Sequence, residues 1–211
     1  MILYIAHRIN SIKELKKIPE NIGIEIDLRS TSKELILAHD PYHKFAEKLD
    51  DFIDLVGNRF IIANIKSERT EKIFLEKYQN KINIQNYFFL DSSYSMIAKY
   101  GNVNPYSFSG RLSDVESIET INNLRNKSLI KWIWIDAFNN FLVDDNQAKR
   151  LNKIKLKKCL TSPDILGRSS EIEYFCNKIK EVNLKLDAIC CKFENINLWK
   201  KYFNKYKIKN T

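Results

Sequence analysis

Two carboxylates and a histidine near the beginning of this sequence could do chemistry together. Glu25 and Asp27 alternate with Ile24 and Ile26, which predicts a β-strand with both carboxylates on one face, roughly 6–7 Å apart. Two like charges at that separation favour a bound cation or a shared proton. His39 follows shortly afterwards, and carboxylates with a histidine suit an oxygen-ligated metal site with an acid/base partner. The competing interpretation is a strand whose polar face only meets water.

Polar side chains also stand where other short apolar runs of the sequence end. His7 and Arg8 follow the first run, and Asn64 and Lys66 end the third. The later runs end at Asp91, Asp136, Ser162 and Lys192. Because functional groups of a parallel barrel collect where its strands end, we expect one site from these residues. In the alternative, His7 is a core histidine and His39 lies in a surface loop.

Eight short apolar runs, separated mostly by helical patterns, must position these side chains. They are Ile2–Ala6, Ile22–Leu28, Arg59–Ile65, Tyr87–Leu90, Pro105–Phe108, Trp132–Ile135, Leu156–Thr161 and Asp187–Cys191. Alternating strands and helices predict a parallel α/β protein, and the count of eight favours a compact (β/α)8 TIM barrel. A doubly wound open sheet is the alternative, but it normally has a glycine-rich first turn, which this sequence lacks.

The chain length constrains the helices of such a barrel. A barrel usually needs about 250 residues, whereas this chain has 211, so some helices must be short, and the patterns at Ile12–Ile18 and Tyr94–Lys99 fit that need. Leu35–Ala38 is an extra extended segment, and Ser113 with Glu116 has the spacing of a capping box that opens a helix. No linker or repeat divides residues 1–211, which predicts a single domain.

Composition limits the partners and the compartment. The net charge of +9 favours an anionic partner. The basic, aromatic tail from Lys200 could bind nucleic acid or a membrane, but it more closely fits a solvated helix face, so we expect no nucleic acid partner and no stable membrane insertion. The four cysteines lack zinc spacing, and the apolar start is too short for a signal or a membrane span. These features predict a cytoplasmic protein with reduced thiols.

Four short motifs resemble those of the glycerophosphodiester phosphodiesterase family. AHR at 6–8, EID at 25–27, HD at 39–40 and NIK at 64–66 follow that family's H-R-G, E-x-D, H-D and E-x-K in the same order. The family has a TIM-barrel fold and is related to phosphodiesterases of the phosphatidylinositol phospholipase C and sphingomyelinase D types. The motifs cover about the first 66 residues, and the later strands agree with the fold without a diagnostic motif.

The resemblance implies a role for each matching residue. His7 and His39 would be the acid/base and nucleophile-assisting histidines, and Arg8 and Lys66 would contact the phosphate. Glu25, Asp27 and the third position, Asn64, would hold a divalent cation, Mg²⁺ or Ca²⁺. Independently of the motifs, TSPDILGR at 161–168 is similar to a loop–helix phosphate site that would include Arg168, although a plain turn with a helix cap fits equally.

Three departures from the family pattern bear on activity. Ile9 replaces the glycine of H-R-G, the interval from His7 to Glu25 is short, and Asn64 replaces an acidic metal ligand. An amide oxygen coordinates Mg²⁺ or Ca²⁺ without charge, so affinity should fall, and Asp91 or Asp136 could compensate from neighbouring strands.

The first hypothesis for function is therefore a metal-dependent phosphodiester hydrolase. Its substrate would be a small phosphodiester of glycerol, a polyol or a sugar. The alternative is a degenerate barrel that binds a phosphorylated ligand without turnover. A third hypothesis, a protein that binds nucleic acid or a membrane surface, rests on the basic tail alone. The sequence has no recognisable nucleic-acid-binding or membrane-binding module. Nothing in the sequence predicts the oligomeric state.

Overall fold

The computed structural model describes residues 2–32, 34–42, 45–103 and 108–206, where strands and helices alternate. The strands are β1 Leu3–Ala6, β2 Gly23–Ser30, β3 Leu35–Leu37, β4 Glu47–Lys48, β5 Ile61–Ile65, β6 Tyr87–Leu90, β7 Ser109–Ser113, β8 Trp132–Asp136, β9 Lys157–Thr161 and β10 Ala188–Cys191. The α-helices are α1 Ile12–Leu15, α2 Leu49–Ile53, α3 Thr70–Tyr78, α4 Tyr94–Tyr100, α5 Ile118–Asn126, α6 Asp145–Lys153, α7 Ile172–Glu181 and α8 Ile196–Lys205.

Eight of these strands run parallel around a ring. β1 pairs with both β2 and β10; one arm continues through β5 to β6, and the other through β9 and β8 to β7. Within the described ranges, β6 and β7 are joined by a parallel bridge between Phe89 and Phe108 and by the Ser109 hydroxyl, which donates to the Phe89 carbonyl at 2.9 Å. The architecture is therefore the predicted (β/α)8 barrel, and β3 and β4 extend β2 as an antiparallel ribbon.

The barrel interior is apolar at one end and polar at the other. Inward side chains such as Ile5, Ile62 and Trp134 form a small central core, and the helices cover the outside of the strands with a larger one. Strand register puts Asp27 beside Asn64, near the carboxyl ends of β2 and β5. The alternation predicted from sequence thus turns polar side chains into the mouth of the barrel.

Short helices account for the small size of the chain. α1 has 4 residues and α2 has 5, as expected of a barrel with trimmed helices. In the part of the chain that the structure describes, no helix has the length and apolar character needed to cross a membrane. The single-domain assignment for residues 1–211 stays a prediction.

The described part of the fifth barrel strand begins later than the predicted run, Pro105–Phe108. Its predicted run began at Pro105, and residues 105–107 lie outside the described ranges, whereas β7 begins at Ser109. The Ser113 hydroxyl does accept from the Glu116 amide at 3.1 Å, as in a capping box. Ser113 nevertheless ends β7, and α5 begins only at Ile118, so this interaction shapes a loop after a strand.

Candidate active site

The carboxylates of Glu25 and Asp27 lie at the centre of the barrel mouth. Their residues are 0% and 1% exposed, which rules out a strand face that only meets water. β1, β2 and β5 bring His7, Asn64 and Lys66 to the same two carboxylates. The strand-end rule therefore located the residues that come together here.

Glu25 is held from three sides. The Arg8 backbone amide donates to Oε2 at 2.6 Å, Asn64 Nδ2 donates to Oε1 at 2.9 Å, and His7 Nε2 lies 3.7 Å from Oε2. Burial, followed by the charge of Asp27, raises the pKa of Glu25 to about 7. Burial and the neighbouring carboxylate thus disfavour the ionised form of Glu25.

Asp27 has a cationic side chain near each of its two oxygens. Arg8 Nε lies 3.6 Å from Oδ2, and Lys66 Nζ lies 3.6 Å from Oδ1. Asn10, which the sequence reasoning missed, donates from Nδ2 to Oδ2 at 2.8 Å and accepts from the Asp27 amide at 2.8 Å. Asp27 is therefore fixed by Asn10 and electrostatically balanced by Arg8 and Lys66.

The turn after β1 carries Arg8 and Asn10 to these positions. Arg8 has a left-handed backbone conformation with φ 56°, which is unfavourable for residues other than glycine. This conformation directs the Arg8 backbone amide at the Glu25 carboxylate, and the Ile9 backbone amide donates to the Glu25 carbonyl at 2.8 Å. Ile9 is buried in the outer core, so the residue at the third position of the AHR motif is a packing residue.

His7 is largely buried beside Glu25. Its backbone amide donates to the Cys191 carbonyl at 2.9 Å, which continues the pairing of β1 with β10. Burial and then the charge of Arg8 lower the pKa of His7 to about 4, against the opposing effects of Asp27 and Asp164. The imidazole is therefore neutral at pH 7.

His39 lies at the other edge of the mouth, beyond the end of β3. Its Nδ1 is 2.8 Å from Asp40 Oδ1, and its carbonyl accepts from Arg29 Nη2 at 2.7 Å. Arg29 also donates to the Lys66 carbonyl at 2.7 Å and so ties this loop to the end of β5. His39 and His7 line separate clefts, and Arg8 lines both.

A network of ion pairs extends the site towards β8. Lys66 Nζ is 3.6 Å from Asp91 Oδ2, and Asp91 also pairs with Arg111. Arg111 lies 3.3 Å from Asp136 and 3.7 Å from Glu116. Asp91 and Asp136, the two acids considered as substitutes for the missing acidic ligand, are thus both paired with Arg111.

The Arg168 side chain contacts the loop after β8 and not the carboxylates of Glu25 and Asp27. Its guanidinium donates to the carbonyls of Ala137 at 2.8 Å and Asn139 at 2.5 Å and pairs with Glu171 at 2.8 Å. These contacts tie the loop after β9 to the loop after β8. Its role in binding phosphate stays a prediction.

Three side chains of the site carry oxygen atoms of the kind that hard divalent cations bind. Besides the carboxylates of Glu25 and Asp27, the Asn64 Oδ1 atom is buried and has no hydrogen-bond partner among the described residues. Carboxylate and amide oxygens are the ligands that Mg²⁺ and Ca²⁺ accept. No cluster of three His, Cys, Asp or Glu side chains suited to a metal occurs within the described ranges, so Asn64 is the third donor that the site offers.

Comparison with known proteins identifies related folds. No protein-family model and no curated protein matches the sequence. The chain is similar in structure to an Oleispira antarctica phosphodiesterase in complex with the product sn-glycerol-3-phosphate, with a TM-score of 0.68 and 14% identity over 96% of each chain. A glycerophosphoryl diester phosphodiesterase from Parabacteroides distasonis gives a TM-score of 0.67 and 12% identity over 97% of this chain and 87% of its own.

Proposed function

We propose that this protein is a phosphodiester hydrolase that acts at the mouth of the barrel. The observation that carries the proposal is the placement of Arg8 and Lys66 on the two oxygens of Asp27, next to His7. Two cations that converge from different strands form a site for a phosphate, whose charge they stabilise as the ester bond breaks. Both structurally similar proteins described above act on phosphodiesters or hold a phosphate product.

The two histidines supply the proton transfers. His7 lies beside Glu25 and takes the proton of the attacking hydroxyl, whether that hydroxyl belongs to water or to a neighbouring group of the substrate. His39, with Nδ1 held by Asp40, donates a proton to the departing alcohol. Because each histidine lines its own cleft beside Arg8, His7 can act on the attacking hydroxyl and His39 on the departing ester oxygen from opposite sides of one phosphate.

A divalent cation, Mg²⁺ or Ca²⁺, belongs to this proposal. Glu25, Asp27 and Asn64 would hold it, and when bound it supplies positive charge to a phosphoryl oxygen. The chain's own contribution is the orientation of these ligands: Asn10 fixes Asp27, and the Arg8 amide fixes Glu25.

The test is hydrolysis of bis(p-nitrophenyl) phosphate and of glycerophosphodiesters with Mg²⁺, Ca²⁺, Mn²⁺ or EDTA. We expect His7→Ala and Glu25→Ala to lower turnover by roughly 100-fold or more, while Glu76→Ala, at an exposed glutamate in α3, leaves it unchanged. Turnover that survives both active-site substitutions would contradict the proposal.

Asn64 supports a second candidate, a barrel that binds a phosphorylated ligand without hydrolysing it. An amide ligand lacks the charge of the carboxylate that the family pattern has at this position. Asn64→Glu should increase the rise in melting temperature that Ca²⁺ or Mn²⁺ produces, a measurement that does not depend on activity. Binding of phosphate esters by the unaltered protein without any turnover would favour this second function.

A further inference from the structure

Two clefts open at the mouth of the barrel, one beside each histidine. The His7 cleft has a volume of about 490 Å³ and the His39 cleft about 370 Å³. Arg8 and Glu14 line both clefts, and the Glu14 carboxylate accepts from the Ser11 hydroxyl at 2.8 Å. The segment from 8 to 14 therefore forms a wall between the clefts, with Arg8 at its end nearest to Asp27.

The walls of the two clefts differ in chemistry. Ile9, Ile18, Ile165 and Phe193 line the His7 cleft, and Phe193 is still 37% exposed. In the His39 cleft, polar side chains (Asn10, Ser11, Asp40 and Glu47) stand among Leu37, Ala38, Phe45 and Ala46. The His7 cleft is thus the larger of the two, and the apolar part of its wall consists of larger side chains.

We infer that the His7 cleft binds an apolar alcohol group, alkyl or aryl, of a phosphodiester whose other, polar alcohol lies in the His39 cleft. The inference rests on the proposed function, because it takes Arg8 as the phosphate contact. The two ester bonds of that phosphate leave it in different directions, towards the two clefts that Arg8 separates. Apolar walls gain free energy by removing an apolar group from water, whereas a glycerol group would lose hydrogen bonds there.

Ile165 and Phe193 present the apolar surface of this cleft, whereas Ile9, which is 6% exposed and packs in the outer core, lies behind it. The lysines of the cleft, Lys17 and Lys192, stand among acidic neighbours, Glu14 and Glu194, so charge alone does not favour a second anionic group.

The experiment measures binding by calorimetry with inorganic phosphate, glycerol 3-phosphate and phenyl phosphate, using the full chain. We expect phenyl phosphate to bind roughly five- to tenfold more tightly than inorganic phosphate, the gain from removing about 50 Å² of apolar surface from water. Phe193→Ser and, separately, Ile165→Thr should reduce that preference at least threefold. Phe138→Ser is the matched control, because Phe138 is also 37% exposed and lines neither cleft.

The outcomes separate this inference from the proposed function. If phosphate binds but phenyl phosphate binds no more tightly, or if Phe138→Ser reduces the preference as much as Phe193→Ser, the assignment of the apolar cleft is overturned. If none of the three compounds binds, the phosphate site itself is wrong, and the proposed function falls with the inference. Tighter binding of phenyl phosphate that depends on both Phe193 and Ile165 supports it.

Discussion

Asn10 joins the turn after β1 to the strand that carries both acidic residues. Its amide group makes two hydrogen bonds of 2.8 Å to Asp27, one to the backbone and one to the carboxylate. Asp27 is buried, so water cannot replace either partner without entering the barrel. Asn10 is therefore a positioning residue for the carboxylate that lies between Arg8 and Lys66.

We expect Asn10→Ala to lower the free energy of unfolding by about 1–2 kcal/mol, because two buried groups of Asp27 lose their partners. Asn10→Asp should cost more, since it adds another carboxylate, besides that of Glu25, next to Asp27. Urea denaturation measures both effects. The control is Asn126→Ala at the exposed end of α5; an equal loss at both asparagines would show that Asn10 has no special role.

The sequence located most of the residues that meet here, and physical reasons explain the exceptions. Alternation put Glu25 and Asp27 on one face, and the ends of strands supplied His7, Asn64 and Lys66. Asn10 lies in a turn without periodicity, so nothing in its spacing shows that its side chain reaches Asp27. That contact depends on the left-handed conformation of Arg8, for which an arginine gives no signal.

At the scale of elements, the sequence did not predict β7, because most of its residues have low strand propensity. Ser109, Gly110 and Arg111 form its first part, and glycine and serine rarely mark a buried strand. The structure gives Gly110 a reason: a Cβ atom there would lie 2.8 Å from the Ile121 side chain of α5. Close packing of α5 on β7 thus favours glycine at position 110, and glycine weakens the sequence pattern of a strand. Arg111, in the same strand, was therefore not predicted as a site residue.

The first turn of α3 contains an acidic residue that the site does not use. Glu71 is 1% exposed, and neither of its carboxylate oxygens accepts a well-formed hydrogen bond from a described residue. Burial raises the pKa of Glu71, and it outweighs the lowering effects of its own backbone amide and of the Ser92 hydroxyl. Folding therefore disfavours the ionised form of Glu71, so its ionisation destabilises the fold.

This predicts a stability change with a definite pH dependence. A folded pKa above the unfolded value gives stability that is present below the unfolded pKa, about 4.3 for glutamate, and is lost as the pH rises through the folded pKa. Glu71→Gln should thus gain about 1 kcal/mol over the unaltered protein at pH 7, and the gain should shrink towards pH 4. Glu76→Gln, at an exposed pair with Lys72 in the same helix, should show no such gain in parallel urea titrations.

At the scale of the whole molecule, neighbouring strands of the ring differ in how many of their described residues are paired. β2 and β5 are paired through five residues from Ile24 to Leu28, and β7 and β8 through five from Ser109 to Ser113. In the described ranges, β6 and β7 have the single bridge from Phe89 to Phe108. Side chains strengthen this seam, because Arg111 of β7 pairs with Asp91 directly after β6.

Arg111→Met should therefore weaken the closure of the barrel as well as its overall stability. Without the guanidinium, Asp91, Glu116 and Asp136 repel one another, and we expect a loss of about 2–3 kcal/mol, as for a mostly buried ion pair that loses one partner. The rate of amide hydrogen exchange should rise first in β6 and β7, while β9 and β10, paired within the sheet on the far side, stay protected.

The control is Arg150→Met, whose exposed pair with Glu119 should contribute at most about 1 kcal/mol. If hydrogen exchange rises equally in all strands, or if both arginine substitutions lower the free energy of unfolding equally, the contact between β6 and β7 depends on backbone pairing and not on Arg111.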